Sequence, residues 1–127
     1  MRLTNQTKYD TMSETIEKLQ QDPFYIKNIN NPTTEQQSLA VSLNGISIKY
    51  IQNPSTQIQK QAIDQYIYSI YHINNPPLEI IEYTLNKIIP HKNNYKTHYL
   101  QSKLEEKLSH LSIEQIQYLK LKYGINN

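Results

Sequence analysis

The chain predicts an all-α fold: a short α-helical solenoid of tandem helical-hairpin repeats over residues 10–90, closed by a C-terminal two-helix cap over 91–127, with a flexible stretch at 1–9 and one domain overall. Three observations carry this. Asn-Pro recurs at Asn31-Pro32, Asn53-Pro54 and Asn75-Pro76, a period of 22 residues. Isoleucine recurs in the same register, as Ile26, Ile48 and Ile70 and again as Ile29, Ile51 and Ile73. Beyond the last Asn-Pro, Leu100, Leu104, Leu108 and Leu111 form an apolar stripe at helical spacing.

Taken in order, the first unit is degenerate: it starts near Tyr9, lacks Asn-Pro, and joins the register at Asp22-Pro23-Phe24. In the later units Asn is expected as the N-cap and Pro as the first helical residue, because Asn accepts a bond from an orphan amide while Pro surrenders an amide that has no partner there. Thr33 with Gln36 is a competing capping-box start one or two residues further on. Leu39, Ala40 and Leu43 then share a face with Gln36, and Ile58, Ala62 and Gln65 repeat it. Ala40 and Ala62 occupy equivalent places, taken by Thr84 in the next unit, where small side chains let helices approach closely.

Asn44-Gly45 reads as a left-handed, Schellman-type stop. Asp22-Pro23 marks the same boundary in the first unit, whereas Tyr66-Ile67 carries no such signal in the third. The second elements, 24–30, 46–52 and 68–74, are too short to be stable alone, so their isoleucines must pack on neighbouring units. Helix or 3₁₀ is favoured over strand for them, since the Leu/Asn signature of leucine-rich horseshoes is missing. In the fourth unit Asn75-Pro76-Pro77 opens a helix through Ile80, Ile81 and Leu85, and Pro90 ends the array. The leucine stripe makes one capping helix. Ser112-Ile113-Glu114-Gln115 opens a second as a capping box, with Ile116 and Leu119 inward and Gly124 as its C′ glycine.

Composition narrows the chemistry. The absence of cysteine excludes disulfides, thiolate nucleophiles and Cys-rich metal sites. A net charge of +2, from 13 cations interleaved with 11 anions, does not of itself call for nucleic acid. No run of about 18 apolar residues is present and residues 1–10 lack the apolar centre of a secretory signal, so the expectation is a soluble, cytoplasmic protein without a membrane partner. Abundant Ile, Asn, Gln, Tyr and Lys fit AT-rich coding, and so a large DNA virus, a phage or an AT-rich bacterium.

The residues Asn31-Pro32-Thr33-Thr34-Glu35, Leu39-Ala40-Val41, Asn44-Gly45 and Ile48-Lys49-Tyr50-Ile51 resemble, unit for unit, a repeat of unknown function found chiefly in amoebal giant viruses and in some phages and bacteria. The resemblance covers about two-thirds of the chain, with departures in the first, third and fourth units. It implies the fold class and a viral origin, hence the host cytoplasm as location. It implies no catalytic residues.

Candidate sites follow from residue type. No glycine-rich nucleotide loop, HExxH or GxSxG occurs, so no enzyme and no cofactor are expected. His91 and His98 flank Tyr95, but with no carboxylate or cysteine nearby they are expected to be solvated rather than metal ligands. Tyr66, Tyr68 and Tyr71 cluster in one unit, and Tyr118 and Tyr123 share the last helix. They are the candidate protein-binding residues, since tyrosine is enriched at hot spots, although a core without tryptophan also uses tyrosine as filler. From Tyr83 to Leu104 there is no Asp or Glu, yet Lys87, Lys92, Lys96 and Lys103 occur among Tyr95 and Tyr99, a pattern that suits phosphates and stacked bases. The leading expectation is a viral or phage protein-binding module, monomeric or homodimeric, directed at a host or defence protein. Nucleic-acid binding through 83–104 is the alternative, and a structural or virion-associated oligomer is the second.

Overall fold

The computed structural model describes residues 11–88 and 102–125, all of it helix, turn or irregular backbone with no strand among them. The fold is all-α. Four α-helices begin at intervals of 22 residues: α1 (Met12–Gln21), α2 (Thr34–Leu43), α3 (Thr56–Gln65) and α4 (Leu78–Ile88). Between them run six-residue 3₁₀ helices, η1 (Pro23–Asn28), η2 (Gly45–Tyr50) and η3 (Ile67–His72), and a last helix, α5, spans Ile113–Tyr123. The residues divide into two compact units, Met1–Ser69 and Ile70–Asn127.

Within the first unit the backbone repeats closely. Thr11, Thr33 and Ser55 are the N-caps of α1, α2 and α3, with ψ of 163°, 163° and 162°. Each side-chain oxygen accepts the N–H three residues on, and Thr11 with Glu14 and Thr33 with Gln36 complete reciprocal capping boxes. The helices therefore start two residues after the Asn-Pro and not at it. Asn31, Asn53 and Asn75 stand instead in the left-handed region, at φ 50°, 50° and 49°. Asparagine tolerates that conformation better than other residues with a Cβ, and the fixed φ of the following proline then leads the chain to the cap.

The stop between the two helices of a unit also differs from expectation. Asn44 is extended, at φ −154° and ψ 108°, and Gly45 is not among the positive-φ residues, so no Schellman turn forms. Asp22, Asn44 and Tyr66 all take this extended conformation, each donating its N–H to the carbonyl four residues back, of Lys18, Ala40 and Ala62. Asp22 and Asn44 then turn round to cap the 3₁₀ helix with the side chain, accepting from Phe24 and Ile46 N–H at 3.0 Å each. Because the backbone is extended, tyrosine serves at position 66 without strain. Gly45 is needed for room instead. A Cβ there would lie 2.3 Å from Ser69 Oγ and 2.4 Å from the Ala62 carbonyl oxygen, while the Gly45 N–H donates to Gln65 Oε1 at 2.7 Å.

The core repeats at the same interval. Leu19, Val41, Ile63 and Leu85 are buried at one equivalent position, Ala40, Ala62 and Thr84 at the next, and Ile26, Ile48 and Ile70 at a third. Ile51 and Ile73 are buried and Ile29 is half-buried. Each fully buried Leu or Ile contributes roughly 1.5–3 kcal/mol relative to exposure. Small alanines let α2 and α3 pack closely, and Thr84 fits by returning its hydroxyl proton to the Ile80 carbonyl at 2.9 Å. Leu43, placed inward by the sequence, is 43% exposed, because α2 turns Gln36, Ala40 and Val41 to the core.

In the second unit the Pro77 carbonyl accepts from both Ile80 and Ile81 N–H at the start of α4. The expected leucine-striped helix is broken: backbone helical at 102–105 passes into turns at 106–107 and 109–110. Leu104, Leu108 and Leu111 are buried all the same, so the stripe reports burial and not one continuous helix. The last helix starts on the Ser112–Gln115 capping box and ends on Gly124 at φ 67°. Pro90 and Leu100 lie outside the described residues.

Candidate binding surfaces

The sequence-derived tyrosines fall into three settings. Tyr66 and Tyr68 lie in the first unit with ring centres 5.4 Å apart, and Tyr66 is 43% exposed. Tyr71, in the second unit, lines with Lys103, Glu106 and Lys107 a cavity of about 350 Å³. There Lys107 donates to the Ile73 carbonyl at 3.2 Å, and burial holds its pKa below the ordinary lysine value.

Tyr118 and Tyr123 converge on a residue that the sequence did not single out. Glu82 Oε1, on α4, accepts from the Tyr118 hydroxyl at 2.6 Å, the Tyr123 hydroxyl at 3.0 Å and Lys122 Nζ at 3.3 Å. Lys122 also donates to the Tyr118 oxygen at 3.0 Å. The Tyr118 hydrogen bond, ahead of those from Tyr123 and Lys122, holds the Glu82 carboxyl below its ordinary pKa against the opposing effect of burial. Lys122 is pushed up, foremost by its bond to Tyr118, and Tyr123 is pushed up, foremost by burial. The phenols on α5 thus spend their hydroxyls fastening that helix to α4. What they leave for a partner is ring surface, beside the outward Ile113 and Leu121, the latter 89% exposed.

Of the acid-free stretch, Lys92, Tyr95, Lys96 and Tyr99 lie outside the described residues, as do His91 and His98. Lys87 sits over the Tyr83 ring at 4.8 Å, and Lys103 pairs with Glu106 at 3.6 Å. Among the described residues no group of three His, Asp or Glu side chains is placed to hold a metal ion. His110 bonds through Nε2 to the Pro76 carbonyl.

The first unit carries a second surface, missed in the sequence. Phe24 on η1 and Tyr50 on η2 meet edge to face, ring centres 5.5 Å apart at 65°. Lys27 lies 5.5 Å and Lys49 5.1 Å from the Tyr50 ring centre, and Lys49 also covers Phe24 at 5.7 Å. A cleft of about 540 Å³ adjoins them, its lining including Lys27, Tyr50, Asn30, Asn31, Gln52 and Asn53. Its signal was present, since Lys27 and Lys49 are 22 residues apart, but the Asn-Pro and isoleucine register drew attention to the interior.

Compared with protein-family models, curated proteins and solved structures, the chain matches none. No helix among the described residues is long and apolar enough to cross a membrane.

Proposed function

We propose that this chain is a non-enzymatic protein-binding module, built as a short solenoid of helical hairpins with a C-terminal cap. One observation carries the reading: along the 22-residue interval the interior is held constant while the exterior changes. Positions 19, 41, 63 and 85 are all buried aliphatic residues. The outward series instead varies, Phe24, Ile46 and Tyr68 in one register, and Asp22, Asn44 and Tyr66 in another. Constant inside and variable outside is the arrangement by which stacked repeats present a recognition surface on an unvarying frame. The resemblance of the Asn31–Ile51 unit to giant-virus and phage repeats supports a viral or phage origin, with a host or defence protein in the host cytoplasm as the partner. Tyr66 and Tyr68 on one unit, and Tyr118 and Tyr123 on the other, are the residues assigned to it.

The test is capture from nuclease-treated host lysate on the immobilised chain, followed by titration of the captured protein against purified chain in a calorimeter. A stoichiometric complex weakened at least tenfold by Tyr66→Ala or Tyr118→Ala is expected. Recovery of nucleic acid alone, released by salt, would reject the reading.

A further inference from the structure

We propose that the 3₁₀ face of the first unit, formed by Phe24, Lys27, Lys49 and Tyr50 with the carboxamide cleft beside them, binds single-stranded nucleic acid. This goes beyond the protein-binding reading and rests on different residues. Lys27 and Lys49 are exposed, and both ammonium groups lie within 5.5 Å of one ring centre, so two positive charges are gathered at one place on the surface. Among the described residues neither has an ion-pair partner. The carboxylate nearest in sequence to Phe24, that of Asp22, is turned onto the Phe24 N–H, and between Pro23 and Asn53 the chain has only Glu35 as a further acid. An uncompensated cation pair held in place by aromatic rings fits an anionic partner.

Two features favour phosphates and bases over an acidic peptide. The cations are lysines, which meet phosphate as point charges, whereas the planar arginine fork that best matches carboxylates is absent from this face. The adjoining cleft is rich in carboxamides, from Asn30, Asn31, Gln52 and Asn53. Each offers both a donor and an acceptor, as the edge of a base requires, while a carboxylate would use donors only. Bases become available to such a cleft when the strand is unpaired, and the aromatic rim is the usual companion of that binding mode.

The experiment measures fluorescence anisotropy of the full chain with a labelled mixed-sequence 12-nucleotide RNA, the same strand as a duplex, and a labelled poly-glutamate of equal charge, between 50 and 300 mM salt. Binding of the single strand in preference to both others is expected. In K27S/K49S, affinity at 50 mM salt should fall at least tenfold, and the slope of log K against log salt should shrink by about 1.4, since each phosphate contact to a single strand contributes about 0.7. Y50L, with the lysines kept, should weaken binding about tenfold at an unchanged slope. Circular dichroism of each variant establishes that it folds. Preference for poly-glutamate, an unchanged slope in folded K27S/K49S, or loss of binding in K87S/K92S/K96S alone would each overturn the proposal. None of these outcomes depends on whether a protein partner is captured.

Discussion

The first unit is held together by backbone that repeats, the second by side chains that do not. Up to Ser69, cap, helix, extended stop and 3₁₀ helix recur with dihedral angles within a few degrees. Each stop residue closes one helix, and at positions 22 and 44 it also opens the next element. From Ile70 on the interval is lost after α4, and the last helix is fastened by the long-range bonds of Tyr118, Lys122 and Tyr123 to Glu82. Regular spacing satisfies polar groups locally and repeatedly. Where it ends, one carboxylate must gather donors from a helix far along the chain.

The sharpest test of this contrast is a deletion in the repeated interior. Ile63→Ala, at 1% exposure, should cost about 2–5 kcal/mol by urea unfolding, and hydrogen exchange should quicken across α2, η2 and α3. Loss of protection confined to α3 would contradict a cooperative first unit. Gly45→Ala should come next, at about 1–3 kcal/mol, because its Cβ would meet backbone of Ala62 as well as Ser69 Oγ. The same measurement on Ile67→Ala, at the equivalent position in η3, should show no such steric cost, being a reduction in size. Thr33→Ala removes one capping box and should cost about 1 kcal/mol, with Thr33→Ser close to neutral.

The second unit should answer to pH where the first does not. Glu82 has its carboxyl pKa lowered in the folded chain, so its contribution is present above the ordinary value of 4.5 and is lost as pH falls through the lower folded value. Thermal melts of the parent and Glu82→Gln should therefore differ by up to about 1 kcal/mol at pH 7 and converge between pH 4.5 and 3. A constant gap would remove the carboxylate from the account. The smallest effect is expected of Leu121→Ser, within about 0.5 kcal/mol in stability, since that side chain is already in water. A large loss there would show that α5 is buried by something else.

Element type and interval were readable in the sequence because helix periodicity and capping are local. Thr33 with Gln36 and Ser112 with Gln115 sit where their boxes place them. Asn-Pro was the right punctuation with the wrong office: a left-handed asparagine and a capping asparagine look alike until φ is known. Asn44-Gly45 misled in the opposite sense, since glycine was chosen for space against Ala62 and Ser69, a contact some twenty residues away that no local rule contains. Glu82 was invisible for the same reason, being an ordinary exposed-looking glutamate until α5 lies against it. The aromatic and lysine face was half readable. Its spacing was in the register, but the meeting of Phe24 with Tyr50 needs the fold.

The left-handed asparagines bear on how the chain ages. An asparagine deamidates when the next backbone nitrogen attacks its side-chain carbonyl, and at Asn31, Asn53 and Asn75 that nitrogen belongs to proline and has no hydrogen to lose. Asn44 precedes glycine, ordinarily the most vulnerable pairing, yet the attacking N–H is already committed to Gln65. The same turns that set the interval are thereby shielded from slow chemical decay.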